Sequence, residues 1–195
     1  MEAIRLFVAI SVPPEVLSIL TGIQNRLKKL GLDAKWVKPE NIHLTLKFLG
    51  STSQVSQTKQ ALTKVVSNKF GITLGGIKVF PNLKKPRVLS VDVQTPCDPL
   101  SQLHKKIEAN LTPLGFAPES RPFNPHLTLA RIKSGKNKKL LAQPLNSTGR
   151  IASFKVNSVQ LYQSRLTREG ATYTVLETFL LTSGPRSQTE TDKET

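Results

Sequence analysis

The chain has 195 residues, 38% of them hydrophobic, which is enough for a sizeable core. Its 28 Lys and Arg against 13 Asp and Glu leave a net charge of +15, which disfavours cationic ligands and favours polyanions. A lone cysteine, Cys97, excludes an intramolecular disulfide, and no apolar run approaches the ~20 residues of a membrane span, so a cytoplasmic protein without membrane attachment is expected.

Residues 5–12, RLFVAISV, form a short apolar run suited to a buried strand and closed by Pro13-Pro14. Val16, Ile19, Leu20, Ile23 and Leu27 then recur at helical spacing, with Lys28-Lys29 in the last turn and Gly31 as the stop. A polar loop leads to IHLTLKFL (42–49), whose alternation turns His43, Thr45 and Lys47 one way and Leu44, Leu46 and Phe48 the other. A second helix is expected within 53–69, followed by strands in GITLGGIKVF and RVLSVDVQ. Gly75-Gly76 reads as a turn or bulge.

The second half repeats this plan. A helix is expected over residues 98–116, and PESRPFNP leads into a strand, HLTLARI (126–132). SGKNKK is a basic loop, and SFKVNSVQLYQS and ATYTVLETFLL are expected to pair as a hairpin. Residues 1–182 are expected to form one bilobal domain. From Ser183 onward no apolar periodicity remains, so 183–195 should be a disordered polar tail.

Two of the three histidines open the same tetrapeptide, His43-Leu44-Thr45-Leu46 and His126-Leu127-Thr128-Leu129. Chance gives ~2% for Thr at the second position after two of them, so one cause should account for both copies. On a strand, residues i and i+2 share a face, so each copy presents an imidazole beside a β-branched hydroxyl. Two such strands facing across a groove supply one base, one acid and two donors, which suits displacement at phosphorus. The spacing offers no H-E-x-x-H, Cys pair or acidic cluster for a metal, and no G-x-S-x-G for a triad. No metal or other cofactor is expected. His104 has no partner pattern and reads as a surface residue. Arg131, Lys133, Lys136, Lys138 and Lys139 form a cationic run beside the second motif that suits polynucleotide steering.

These motifs, with the flanks KWVKPENIHLTLKFLG and RPFNPHLTLARIK, resemble the RNA 2′,3′-cyclic phosphodiesterases, also called 2′-5′ RNA ligases, within the two-histidine phosphoesterases. RLFVAISVP and SVQLYQSRLTREGATYTVL extend the similarity from Arg5 to Leu181. The resemblance implies an α+β, bilobal fold of two pseudo-symmetric lobes, with antiparallel sheets lining a central groove and helices outside. It implies metal-independent hydrolysis of RNA 2′,3′-cyclic phosphate ends, tRNA halves among them, to 2′-phosphates by a monomer, with reversible 2′-5′ ligation as an accompanying activity.

By position, His43 resembles the proton donor and His126 the proton acceptor, with Thr45 and Thr128 holding the phosphate. Arg131 matches an arginine near the nucleotide, although strict alternation from His126 turns it away, so a bulge is required. Lys47 and Phe7 are the further candidates for substrate binding. Ser90 stands where the family often has Trp, and Lys35 where Arg is frequent. Two alternatives are a non-catalytic basic RNA-binding module, which predicts a damaged motif, and a phosphodiesterase for a small cyclic nucleotide or ADP-ribose cyclic phosphate.

Overall fold

Residues 2–94, 98–142, 149–167 and 170–182 are described by a computed structural model. The expected tail and Cys97 lie outside the described residues. β1 (Ile4–Ser11) buries Leu6 through Ile10, and Pro14 at the first helical position opens α1 (Pro14–Lys28). Glu15 at the start of α1 and Arg26 and Lys28 at its end complement the helix dipole. Its buried face is Val16, Leu20, Ile23, Leu27 and one polar residue, Gln24. Gly31 then takes a φ of 63°, a left-handed conformation that ends the helix cheaply only as glycine.

Residues read above as a polar loop contain β2 (Ala34–Trp36), which among the described residues pairs only with β6 (His126–Ile132). Three residues are too few to show alternation, and only their partner makes them a strand. β3 (His43–Thr52), α2 (Val55–Thr63), β4 (Phe70–Phe80), β5 (Val88–Val93) and α3 (Asp98–Leu111) follow. The β4–β5 register slips between Leu74 and Ile77, so Gly75-Gly76 lies at a bulge.

SFKVNSVQLYQS is two strands, not one. β7 (Ala152–Val156) pairs with β4, whereas β8 (Ser158–Thr167) pairs with β1, and Asn157 alone separates them. β8 and β9 (Gly170–Leu180) form the expected hairpin.

The strands run in the order β7-β4-β5-β6-β3-β1-β8-β9, with β2 added beside β6. One lobe is β7-β4-β5-β6 with β2, and the other is β3-β1-β8-β9. In the middle of this path a single β3–β6 pair, Leu44 with Leu127, joins them. The ends of this path curl back together: Leu181 N–H donates to Asn157 O at 2.8 Å and Thr182 N–H to Ser67 O at 2.9 Å. α1 packs against β7, and α2 and α3 against β9 and β3. One apolar core runs through both lobes and includes Leu44 and Leu127, 1% and 0% exposed. Burying a leucine that completely contributes roughly 2–3 kcal/mol, so the junction is held mainly by packing.

Candidate active site

The repeat is longer than the tetrapeptide. Asn41 stands two residues before His43, and Asn124 two before His126, giving N-x-H-L-T-L twice. Each asparagine carbonyl accepts from the imidazole Nδ1 at 2.8 Å. That bond fixes the Nδ1–H tautomer of the neutral ring and leaves Nε2 as the free nitrogen. Sequence reading passed over both asparagines, although the doubled Asn was visible as a signal.

Because β3 and β6 meet antiparallel at Leu44–Leu127, residues flanking one leucine lie across from residues flanking the other in reverse order. His43 is therefore set toward Thr128, and Thr45 toward His126. All four line one cavity of about 420 Å³, together with Phe7, Arg5, Arg131, Ser164 and Tyr173.

Both strands bulge just after their Thr. Val8 and Ala9 face Lys47 and Thr45, so Leu46 is the extra residue on β3. Leu89 and Ser90 face Ala130 and Thr128, so Leu129 is the extra residue on β6. A bulge reverses the inward–outward sequence beyond it. On β6 it turns Arg131 into the cavity, as the required bulge does. The Leu129 carbonyl accepts from Gln24 Nε2 of α1 at 2.9 Å and from Val37 N–H at 2.9 Å, which explains the polar residue on the apolar face of α1.

On β3 the bulge corrects the expected facing. Lys47 leaves the side of His43 and Thr45 and is buried, with its ammonium 2.7 Å from Glu108 Oε2 of α3 and donating to Ala117 O at 2.9 Å. Phe48 takes the groove position instead and is 68% exposed.

The two histidines have different surroundings. His43 stacks on Phe7 at 4.8 Å between ring centroids and meets the edge of Tyr173 at 5.2 Å. Tyr162 stacks behind Phe7 at 5.0 Å. This aromatic packing buries the imidazole and lowers its pKa to about 4; the bond to Asn41 opposes the shift, and the charge of His126 adds to it. His126 has one ring neighbour among the described residues, Phe80 at 5.0 Å. Phe7 itself is 3% exposed, so it backs the imidazole and offers little surface to a ligand.

His104 is not a free surface residue. It stacks on Phe123 at 4.0 Å, and its Nε2 lies 3.6 Å from Glu108 Oε1. Ser90 is buried opposite Thr128 and donates to Lys78 O at 3.3 Å. Lys35 pairs in register with Arg131, which adds a cation at that end of the groove. Among the described residues, no group of three His, Cys, Asp or Glu is placed to hold a metal ion, and no helix is long and apolar enough to cross a membrane.

Two lobes presenting paired H-x-T-x strands to one groove define a two-histidine phosphoesterase. More narrowly, the sequence profile of the 2′-5′ RNA ligase superfamily matches residues 14–168, and the chain belongs to that family. The RNA 2′,3′-cyclic phosphodiesterase of Aeropyrum pernix is 35% identical over 161 residues, covering 80% of this chain and 92% of that protein. The RNA 2′,3′-cyclic phosphodiesterase of Aquifex aeolicus is 33% identical over 189 residues, covering 93% and 99%. Among solved structures, LigT of E. coli in its apo form is 25% identical with a TM-score of 0.78, covering 94% of this chain and all of that one. The same protein has been solved in complex with 3′-AMP.

Proposed function

We propose that the chain hydrolyses 2′,3′-cyclic phosphate ends of RNA to 2′-phosphates, with His43 and His126 as the acid–base pair. The observation that carries this reading is the doubled N-x-H-L-T-L strand, with each Nδ1 tied to an asparagine carbonyl and both rings lining one cavity. The activity printed for the A. pernix and A. aeolicus relatives agrees with it, and the complex of LigT with 3′-AMP supports a nucleotide in this groove.

His126 takes a proton from water, whose oxygen attacks phosphorus in line with the 3′ oxygen. The bond from phosphorus to O3′ breaks, and His43 protonates the departing oxygen, leaving the phosphate on O2′. Thr45 and Thr128 donate to the non-bridging oxygens, where negative charge grows. His43 is neutral in the free chain near pH 7 because of its burial, so it gains its proton together with the substrate. The phosphate anion beside Nε2 offsets the cost of charging a desolvated imidazole. Arg131, with Arg5 and Lys35, holds the nucleotide and the RNA phosphates leading to it, while Phe7 acts through His43.

The test is an oligonucleotide ending in a 2′,3′-cyclic phosphate, incubated with the protein and analysed for product isomer. A 2′-phosphate is expected. A 3′-phosphate would place the departing oxygen at the other position, and no conversion would remove the reading.

A further inference from the structure

Resting on that reading, the geometry points to Lys47 and Glu108 as a positioning pair that aims His126, the histidine of the other lobe. The two motifs share a sequence but not a support. Before His43 the carbonyl of Asn41 is fixed by a 3₁₀ turn (Pro39–Asn41), with Asn41 N–H donating to Lys38 O at 2.9 Å and Ile42 N–H to Pro39 O at 3.0 Å. Asn41 Nδ2 also donates to Ala171 O of β9 at 2.8 Å. Before His126, residues 117–125 form neither helix nor strand, and residues 117–122 are exposed.

What ties that stretch down comes from β3 and α3. Lys47 Nζ donates to Ala117 O at its start, and His104 stacks on Phe123 at its end, next to Asn124. Both anchors converge on Glu108, whose Oε2 is 2.7 Å from Lys47 and whose Oε1 is 3.6 Å from His104. That Oε1 is buried without a hydrogen bond, so the carboxylate is held there by the Lys47 ammonium and the neighbouring His104 ring rather than by the backbone.

A buried ion pair is a poor device for stability, because desolvation of both charges offsets their attraction. It is a good device for fixing one geometry, because an ammonium shared between a carboxylate and a carbonyl tolerates few arrangements. Lys47 is therefore the link by which the strand after the first motif sets the loop before the second. Through Asn124 O it fixes the ring of His126. Both residues act through His126.

The experiment uses the full chain with Lys47→Met, Lys47→Arg and the double variant Lys47→Met/Glu108→Leu. The double variant removes the lone buried carboxylate that would otherwise destabilise Lys47→Met. Each is assayed on a cyclic mononucleotide, and the imidazole nitrogens are followed by NMR, which is simple in a chain with three histidines. A displacement near 1 Å costs on the order of 10²-fold in rate, so kcat should fall about 10-fold or more in the double variant with KM nearly unchanged. Signals from His126 should shift while those of His43 stay in place, and Lys47→Arg should recover part of kcat. Full kcat in the folded double variant, or equal movement of both histidines, would overturn the pair's role. If the wild-type chain does not hydrolyse the substrate, the reading beneath it fails, and the NMR comparison still decides whether Lys47 aims His126.

Discussion

Leu44 and Leu127 are directly paired, and they are the single registered contact between β3 and β6. Each is the residue between His and Thr of its motif. In an antiparallel pair, opposed residues are related by a local two-fold axis, so this one contact superposes the motifs in opposite directions. The groove chemistry of two lobes thereby depends on two leucines that face away from it into the core. The surroundings break the symmetry, with three aromatic rings around His43 and one beside His126.

That asymmetry predicts the pH dependence. An ordinary histidine has a pKa near ~6.5, and burial brings His43 down to about 4. Because the acid must carry its proton, the alkaline limb of kcat/KM, which belongs to the coupled pair, is therefore expected to begin near pH 4. In kcat the limb should lie higher, because the bound phosphate favours the charged imidazole. Tyr162→Ser opens the packing behind Phe7 and should move the kcat/KM limb upward. A wild-type limb near 6.5 would show that the ring is solvated.

The same shift has a sign in stability. Unfolded, His43 takes its proton as pH falls through ~6.5; folded, it does so only near 4. Stability is thus unaffected at neutral pH and declines as pH falls between those values, by about 3 kcal/mol for the full shift. His43→Gln should flatten the melting temperature across that window. An unchanged slope would assign acid sensitivity to other groups.

Much of this site was legible in the sequence because its parts are local. His43 and Thr45, or His126 and Thr128, need only the two-residue period of a strand to share a face, and the repeat marks them as a set. What periodicity hides is its own interruption. The extra residues at Leu46 and Leu129 turn Lys47 away from the groove and Arg131 into it, and neither bulge carries a glycine to announce it. β2 escapes periodicity because its partner β6 lies about a hundred residues downstream. Gln24 showed itself as a polar residue at a core spacing, but its acceptor at Leu129 is a tertiary contact.

Gln24 gives a prediction of its own. Gln24→Met keeps the volume but removes the buried donor to Leu129 O and Val37 O; Leu129 O keeps Val37 N–H, whereas the loss of this donor at Val37 O costs about 1–3 kcal/mol. A looser bulge misdirects Arg131, so KM for an oligonucleotide should rise while kcat changes less. Arg131→Ala should reproduce the KM effect without the loss of melting temperature. Were Gln24→Met to lower stability alone, the bulge would hold its shape without the side chain.

Thr45→Val and Thr128→Val keep the β-branched shape and remove the hydroxyl. Loss of one donor to the growing charge costs on the order of 10²-fold in kcat. The loss should be the same for a cyclic mononucleotide and a long oligonucleotide, since both present the same phosphate. A variant that loses affinity for only the long substrate would place its threonine along the RNA instead.

The basic run after β6 should behave in the opposite way. Its loop is tied to the end of α1 by Asn137 Nδ2, which donates to Leu30 O at 3.0 Å and Gly31 O at 3.1 Å. Lys138 is committed to Lys84 O at 2.7 Å, whereas Lys133, Lys136 and Lys139 are exposed. None of the four lines the 420 Å³ cavity. Neutralising the three exposed lysines to Gln should leave both constants for a cyclic mononucleotide unchanged and raise KM for an oligonucleotide. Each phosphate contact on a single strand contributes about 0.7 to the slope of log affinity against log salt, so the slope should flatten by up to about 2. The decisive measurement is kcat/KM for both substrates across a salt series. Equal losses on both would put the lysines at the phosphate itself. An unaltered oligonucleotide slope would leave the run as solvated surface, because a cation that neutralises no phosphate releases no counterion.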